Sequence, residues 1–432
     1  MELKPLVKKC DVLIVGAGVS GIAAAVSAVK SGSRVILIER YGFLGGLATS
    51  AWVGTIAGAY YITSSGEIKL ANEGFVRSFI EELSSNNGLG EIVYYKDAVY
   101  VPYSPVVFKI VCDNFIRSKP NISLMLHSQM VNVKIKKKRI DSVTIYTKSG
   151  MMEIHGEMFL DCSGDADLSF MAGVPIQKSN KLQYPSMMFI ANQVDVKKAK
   201  AAGPDKLSKI MINASMFGGS KIPRLTGFFF ETGRPGEVIV SMTRITGQDN
   251  KRLNLTNIKD LTYGELEGRQ QALICFELLK KQMPGFESAY LSDIAPQLGI
   301  RESRRIKGHY LLNRTDVLSG RTFRDGIAWG VWPIELHTEG GKTDWVPIKN
   351  GGRYQIPYRC LCPQNIENLL VAGRCISATH EAMGSCRVIG TCLAMGQSAG
   401  IIASTLASEK LSTSHLNVKA LKDIIQSVMP EV

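Results

Sequence analysis

The first forty residues alternate between apolar runs and a helical pattern. A continuous apolar run at residues 12–15 predicts a buried strand, and the small and apolar side chains at 22–29 predict a helix directly after it. A second run, at 34–38, predicts another strand. Lysines ahead of an apolar run are also typical of a secretory signal, so this stretch alone leaves two interpretations open.

The rest of the chain shows the same two patterns, helical spacing of apolar residues and short apolar or alternating runs typical of strands. We predict helices at 72–83, 106–116, 262–281 and 391–406 and strands at 123–126, 130–135, 142–146, 152–154, 236–243 and 368–373. The four strands between 123 and 154 are predicted to form a meander. Gly396 and Gly400 suit the last helix to close packing on a sheet.

The turn between the first strand and helix carries three glycines in the pattern G-x-G-x-x-G, at Gly16, Gly18 and Gly21. The first glycine allows a sharp turn, the second lets the backbone approach a pyrophosphate, and the third lets helix and strand pack closely. Glu39 ends the second strand, where an acidic residue binds ribose hydroxyls. These features favour dinucleotide binding over a secretory signal or a merely glycine-rich helix.

Three later segments also suggest backbone close to a ligand. Gly45 and Gly46 follow the second strand, although an ordinary flexible loop would look the same. Asp165 follows a strand that ends in small and acidic residues, at the edge of the sheet where open α/β folds bind ligands. A polar loop at 373–390 leads into the last helix, whose amino end can hold the electron-rich edge of a ring.

The composition is that of a globular protein of two or three domains, with 432 residues, 45% hydrophobic and 21% charged. No uninterrupted apolar stretch reaches the length of about 18 residues needed for a membrane span. The net charge of +13 is compatible with an anionic small-molecule substrate. The densest basic run of the chain, residues 134–139, is interpreted as a solvated hairpin end. No nucleic-acid-binding motif is present.

Nine cysteines are scattered along the chain without a C-x-x-C pair, so no zinc or iron–sulfur site is predicted and the metal prediction is none. Without an export signal, we expect reduced thiols and a cytoplasmic location. Residues 56–100 are interpreted as an insertion or lid, and a change of composition near residue 174 indicates a second domain.

Four segments carry a family resemblance: GDADL at 164–168, RESRRI at 301–306, IPYRC at 356–360 and LLVAGRCISATHEAMGS at 369–385. The chain resembles the FAD-dependent oxidoreductases of the glutathione-reductase and fumarate-reductase superfamily. This resemblance implies an α/β fold with a discontinuous, Rossmann-like FAD-binding domain of the glutathione-reductase type, from residues 1–55, 101–173 and 352–432. An α+β substrate domain, 174–351, would be inserted in it.

The resemblance also implies which residues hold FAD. The first glycine motif and Glu39 would hold the ADP half, the glycine doublet would pass near the pyrophosphate, and the loop from Gly373 to Arg387 would border the flavin ring. The cofactor-binding residues are therefore predicted to be Gly16, Gly18, Gly21, Glu39, Arg40, Gly45, Gly46, Asp165, Gly373, Glu381 and Ser385.

The catalytic candidates are His337 and His380, either of which would take a proton while hydride passes between the substrate and flavin N5. Each is equally well explained as a hydrogen-bonded core histidine. Arg387 and Arg304 would hold a substrate carboxylate or a flavin carbonyl. The segment around His337, residues 332–338, departs from the family pattern YPIDIHD, because Glu335 and Thr338 replace its two aspartates.

The implied function is hydride transfer between a small, anionic organic substrate and FAD, with an electron acceptor that the residues do not identify and with a homo-oligomer left open. A disulfide reductase is excluded, because no cysteine pair follows the glycine doublet. Two alternatives remain: an electron-transfer subunit of a larger complex, and a binding protein that has kept the fold without catalysis.

Overall fold

The apolar runs predicted as strands lie side by side in the largest sheet of the protein. The computed structural model describes residues 6–177, 181–217, 222–349, 352–415, 421 and 423. The strands of these residues are, in chain order, β1 Leu6–Val15, β2 Val35–Ile38, β3 Thr55–Ala57, β4 Tyr60–Ile62, β5 Ile68–Leu70, β6 Val93–Tyr95, β7 Ala98–Pro102, β8 Ile122–Met125, β9 Gln129–Lys136, β10 Arg139–Thr147, β11 Gly150–Asp161, β12 Phe189–Asn192, β13 Phe228–Glu231, β14 Val238–Ser241, β15 Tyr290–Ile294, β16 Gly326–Gly330, β17 Ile334–His337, β18 Thr343–Val346, β19 Tyr354–Pro357 and β20 Leu369–Val371.

The helices cover the sheet and connect its strands. The α-helices of the same residues are α1 Val19–Lys30, α2 Leu47–Ser50, α3 Phe75–Ser85, α4 Pro105–Arg117, α5 Asp167–Met171, α6 Val196–Ala201, α7 Gly203–Phe217, α8 Ile258–Gln282, α9 Arg314–Leu318, α10 His380–Cys386 and α11 Ile389–Glu409. The predicted helices at 72–83, 106–116, 262–281 and 391–406 correspond to α3, α4, α8 and α11.

The largest sheet has the order β8-β2-β1-β11-β10-β9, with β20 also paired to β11. Strands β8, β2, β1, β11 and β20 run parallel, and Val15, Asp161 and Val371 pair in register at their carboxyl ends. The loops that follow these three residues therefore begin at one edge of the sheet. This edge is where an open α/β sheet binds ligands.

The predicted meander is only partly correct. Strands β9, β10 and β11 are antiparallel neighbours, and the basic run at 134–139 is the hairpin end between the first two. Residues 122–125, however, pair parallel with β2 as the edge strand β8. The alternation of apolar and polar residues predicts a strand but does not say which neighbour it pairs with, because pairing depends on contacts distant in sequence.

Helices α1 and α11 pack directly against each other at two glycines. A Cβ atom on Gly396 or Gly400 would overlap the backbone of Ser20 or Ala24 in α1. The predicted partner of these glycines was a sheet, and the structure corrects it to a helix. Helix α11 has the length and apolar composition of a membrane span, but 89% of its apolar window is buried in the protein, as expected of a core helix.

The buried apolar residues form two main clusters. One spans the parallel sheet, α1, α3, α4 and α11, and it includes residues of the predicted lid and of segment 306–361. The other lies between the sheet β13-β14-β12-β15 and helix α8. Its residues come from the segment Met187 to Ile300, with Trp52 as one addition from earlier in the chain. The fold is thus mixed α/β with a parallel sheet, while the boundaries predicted at 174 and 351 stay a prediction.

Candidate active site

The first glycine turn is shaped by the protein at two of its three glycines. Gly16 has φ +95°, and a Cβ atom there would lie 2.6 Å from the carbonyl oxygen of Cys162. A Cβ atom on Gly21 would overlap the carbonyl oxygen of Gly16. Both positions therefore need glycine for the crossing of β1, α1 and the loop after β11, with or without a ligand.

Gly18 is different, because the protein itself does not require glycine there. Its φ is −69°, and a Cβ atom would meet only Gly46 Cα, at an ordinary 3.7 Å. A Cβ on Gly46 would in turn lie 2.8 Å from Gly18 Cα, so the two loops meet backbone to backbone. No acidic residue occupies the first turn of α1. Gly18, Gly46 and the amino end of α1 together form a cradle that fits the pyrophosphate of a dinucleotide.

Glu39 lies at the carboxyl end of β2 and is buried. Its carboxylate accepts hydrogen bonds from the amides of Ala17, at 2.8 Å, and Tyr41, at 3.0 Å. Burial raises the pKa of Glu39, and these two amides oppose the shift. Each oxygen keeps a further acceptor position for a ribose hydroxyl. Arg40 is exposed, with its guanidinium carbon 4.8 Å from the centre of the Tyr41 ring.

The loop after β11 brings Asp165 against the segment RESRRI. Asp165 Oδ1 accepts hydrogen bonds from Ser303 Oγ at 2.6 Å and Arg374 at 3.1 Å, and its other oxygen accepts none from the described residues. Burial opposes ionisation, but Arg374, Ser303 and Arg40 together hold the pKa of Asp165 below its usual value. The second oxygen therefore keeps its acceptor positions, and the contact of Asp165 with the cofactor stays a prediction.

Arg304 lies elsewhere than the prediction implied. Its Nε donates to the carbonyl oxygen of Asp165 at 2.8 Å, its guanidinium pairs with Asp167, and the guanidinium carbon lies 4.4 Å from the centre of the Phe170 ring. These contacts tie the segment RESRRI to the loop after β11. This placement differs from the predicted role in binding substrate, because the guanidinium has its partners within the protein.

One cavity of roughly 270 Å³ begins beside the Gly18–Gly46 cradle, at Val19, Ser20 and Gly45, and extends to the region between the two apolar clusters. On the cofactor side it is lined by Gly45, Gly164, Gly373 and Arg374. The amino end of α11 also lines it, and the N-cap residue Val388 provides no side-chain hydrogen bond. The positive end of the helix dipole is thus directed at the cavity, as the family resemblance implied for a reduced flavin ring.

His337 lies in the far part of the cavity, at the end of β17. Its Nδ1 lies 3.1 Å from Thr343 Oγ1, and its Nε2 makes no hydrogen bond with the described residues but lies 3.7 Å from Glu335 Oε1. Burial lowers the pKa of His337 well below its usual value, and the positive charges of Arg301, Arg224 and Arg387 add to the shift. The imidazole is therefore neutral at neutral pH, and its unprotonated ring nitrogen can accept a proton.

Three arginines line the same part of the cavity, Arg224, Arg301 and Arg387. Burial lowers the pKa of all three, most strongly that of Arg301, which Arg387 and Arg224 lower further. Glu335 is the one carboxylate among the described residues that line the cavity. The excess of positive charge makes the electrostatic potential at this end of the cavity favourable for an anion.

The remaining predicted residues lie outside the cavity. His380 Nδ1 lies 2.7 Å from Glu302 Oε2, and Ser385 Oγ lies 2.7 Å from the hydroxyl of Tyr354. Glu381 borders a separate surface depression beside α9. All three belong to the segment that the resemblance assigned to the flavin ring, and in the structure they pack away from the cavity lining.

Comparison with known proteins identifies the family. A protein-family model described as FAD dependent oxidoreductase matches residues 11–425. The chain belongs to the FAD-dependent oxidoreductase family. The protein is therefore an enzyme, FAD is its cofactor, and the glycine cradle with Glu39 fits the ADP half of that cofactor. No curated protein sequence matches the chain.

Solved flavoprotein structures share the fold. A geranylgeranyl bacteriochlorophyll reductase-like protein from Thermoplasma acidophilum is 12% identical, with 98% of this chain and 84% of that chain covered and a TM-score of 0.50. CabE, an aromatic hydroxylase from angucycline biosynthesis, is 10% identical, with coverage of 98% and 66% and a TM-score of 0.50. At these identities the similarity concerns the fold alone.

Sequence reasoning missed several residues that line the cavity of this family member. Arg301 belongs to the same charged segment as the predicted Arg304, and only the structure shows which arginine faces the cavity. Glu335 was noted only as a departure from the family pattern. Its position two residues before His337 on a strand would have placed both on one face. Arg224 and the aromatic lining had no motif to indicate them.

Among the described residues, no group of three or more ligating side chains could hold a metal ion.

Proposed function

We propose that this oxidoreductase transfers hydride between a small anionic organic substrate and FAD, with His337 exchanging the accompanying proton. One observation carries the proposal: a single cavity runs from Gly45 and Gly373, on the cofactor side, to His337 and to the arginines. When bound, FAD supplies the capacity to take up or release two electrons as a hydride at its ring.

The arginines orient the substrate in this proposal. Guanidinium groups recognise a carboxylate through paired hydrogen bonds, which fix its position and direction as well as its charge. Arg387 donates one hydrogen bond to Gln183 Oε1 at 3.3 Å and borders the cavity beside the amino end of α11. A carboxylate held there would lie between the cofactor side of the cavity and His337.

His337 moves the proton. In the oxidative direction its neutral Nε2 accepts a proton from a substrate hydroxyl or amine, and in the reductive direction it returns that proton. Glu335 lies 3.7 Å from Nε2 and stabilises the imidazolium that forms. The bound substrate anion has the same effect, because its charge offsets the arginines that hold the pKa of His337 low. His380 is less suitable, since it is paired with Glu302 outside the cavity.

The first test is the visible absorbance spectrum of the purified protein before and after denaturation. A released flavin identified as FAD allows a substrate screen without air. Small hydroxy and amino carboxylates are added to the oxidised protein and bleaching is recorded, while unsaturated carboxylates are added to the dithionite-reduced protein and the return of colour is recorded. Bleaching by such a carboxylate, lost in His337→Gln while FAD remains bound, is the expected result. No bleaching by any of them, together with activity only after a partner protein is added, would instead support an electron-transfer subunit.

We also propose a cytoplasmic location with reduced thiols. All nine cysteines are buried and unpaired in the structure, which supports this proposal.

A further inference from the structure

The cavity that contains the arginines also has a continuous aromatic wall. Six rings line it, those of Tyr95, Tyr100, Phe228, Phe230, Trp332 and Trp345. They come from the hairpin of β6 and β7, from β13, and from the loop before β17 together with β18. Three separate parts of the chain thus supply aromatic side chains to one space. Packing within the hairpin of β6 and β7 would not by itself bring these rings together.

The middle of the wall follows from the alternation of side chains along a strand. Phe228 and Phe230 lie on one face of β13 with ring centres 6.3 Å apart and planes 8° apart. Phe229 points the other way and contacts Phe286 in the second apolar cluster, with ring centres 5.9 Å apart. The edge of Tyr100 meets Phe230 at 5.9 Å. Two nearly parallel rings therefore face the cavity.

The rings continue without a break to the far end of the wall. Tyr95 meets Phe228 edge-on at 5.6 Å and Trp345 at 5.2 Å, and Trp345 meets Trp332 at 5.2 Å. Trp332 Nε1 donates to Glu335 at 3.1 Å, which connects the wall to the residues around His337. The ammonium of Lys96 lies over the rings of Tyr95 and Trp345, 5.5 and 5.2 Å from their centres. The two nearly parallel rings of Phe228 and Phe230 are therefore the part of the wall suited to pack on another flat apolar group.

The charged end of the cavity contains donors that no atom of the described residues satisfies. Arg224 is 4% exposed, and its Nη1 donates to Ser241 Oγ at 3.1 Å, but its Nε has no partner among the described residues. Arg387 Nε likewise has none. Buried donors without a partner are costly. Because Gln183, Arg305 and Thr391 also have such an atom away from the cavity lining, the assignment of a ligand to Arg224 and Arg387 rests on the position of both side chains in that lining. Arg224 also lies 5.9 Å from the centre of the Phe228 ring, where the charged end meets the wall.

We propose that the substrate is a carboxylate attached to a planar aromatic body, with the carboxylate on Arg224 and Arg387 and the ring against the wall. This inference rests on the proposed function and names its substrate class. A short carboxylate without a ring would leave the wall bare. A substrate with a second charge at its other end would have to bury that charge among the rings, which is unfavourable without a partner.

The experiment measures binding to the FAD-loaded protein by calorimetry and by the quenching of tryptophan fluorescence. The probes are benzoate, acetate, benzamide and cyclohexanecarboxylate, which separate the charge, the ring and its planarity. We expect benzoate to bind at least about tenfold more tightly than each of the other three. Equal binding of acetate or of benzamide would overturn the inference, and equal binding of cyclohexanecarboxylate would overturn the planar body.

Two variants separate the two halves of the site. Arg387→Met is expected to weaken benzoate about tenfold and to leave benzamide unchanged, since only the charge partner is lost. Trp345→Leu is expected to weaken both ring probes by a similar factor. Arg139→Met, at the solvated hairpin end, is the matched control and should change neither. Loss of benzoate and benzamide to the same extent in Arg387→Met would contradict the assigned carboxylate position.

The outcomes also separate this inference from the proposed function. Tight binding of benzoate without bleaching of the flavin by any ring-bearing hydroxy or amino acid would leave the ligand class intact and refute the hydride-transfer proposal. Bleaching by a small ring-free carboxylate, with weak benzoate binding, would support the hydride-transfer proposal and refute the aromatic ligand class.

Discussion

Replacing Gly18 by valine is expected to abolish FAD binding and leave the fold intact. The backbone at Gly18 has φ −69°, which every residue adopts, and a Cβ atom there meets its nearest neighbour at 3.7 Å. We therefore expect the free energy of unfolding of the apoprotein to change by no more than about 1 kcal/mol. The added methyl groups instead occupy the cradle in which the pyrophosphate must approach the backbone.

The magnitude can be read from thermal or denaturant unfolding with added FAD. At a free FAD concentration 100-fold above the wild-type Kd, binding stabilises the wild type by about 2.7 kcal/mol. A variant whose Kd is raised about 100-fold gains only about 0.4 kcal/mol at the same concentration. Flavin absorbance per protein after purification gives an independent measure of loading, and it should fall to background in Gly18→Val.

Gly21→Ala provides the contrasting variant, because its Cβ atom would overlap the carbonyl oxygen of Gly16. It should destabilise the apoprotein by about 3 kcal/mol or more, whether or not FAD is added. The reasoning fails if Gly18→Val keeps wild-type FAD content. It also fails if the apoprotein of Gly18→Val is destabilised as strongly as that of Gly21→Ala, since the cradle would then be part of the packing.

Three further predictions concern single side chains. His337→Gln should retain FAD and lower kcat by about 100-fold or more, as stopped-flow bleaching would show, and a wild-type rate would remove His337 as the proton acceptor. Glu39→Gln should weaken FAD binding about tenfold, measured by flavin fluorescence, because an amide replaces one carboxylate acceptor for the ribose; unchanged affinity would contradict that contact. Burial and two neighbouring carboxylates raise the pKa of Asp167 from 3.8 to about 6. Its proton is thus held more tightly when folded, so stability should fall as the pH rises from about 4 through 6, and Asp167→Asn should lose this dependence in pH-resolved melting curves.

The elements with strong local signals were predicted well from the sequence. The helix after the first glycine motif, helix α4, which begins at Pro105, and the basic hairpin end occur within a few residues of their predicted bounds. The first strand ends at Val15 as predicted but begins six residues earlier than predicted, at Leu6. In each case the signal is contained in a short stretch, as a period, a proline or a glycine pattern. The pairing of β8 and the partner of Gly396 and Gly400 were wrong, because each depends on a contact far along the chain.

The candidate site likewise has one part that local sequence predicts and another that depends on contacts distant in sequence. Gly16, Gly18 and Gly21 with Glu39 form a local motif, and family membership of the chain follows from segments that can be compared one by one. Arg301 and Arg304 differ by three positions in one charged segment, and their roles depend on which side of that segment faces the cavity. The aromatic wall joins residues from three distant stretches, so no window of sequence contains it.

The sequence by itself determined the dinucleotide turn and the α/β class, because a glycine pattern between strand and helix restricts the backbone locally and uses its own amides as ligands. FAD as the cofactor followed from the family resemblance of four further segments, and the family match confirms it. The tertiary structure decided the substrate side. The low pKa of His337 and the excess of positive charge arise only when β17 and three arginines distant in sequence meet at one cavity. The aromatic wall forms only when the hairpin of β6 and β7, β13 and β18 are brought around the same cavity. Burial and electrostatic interactions act through space, and distance along the chain does not reveal them.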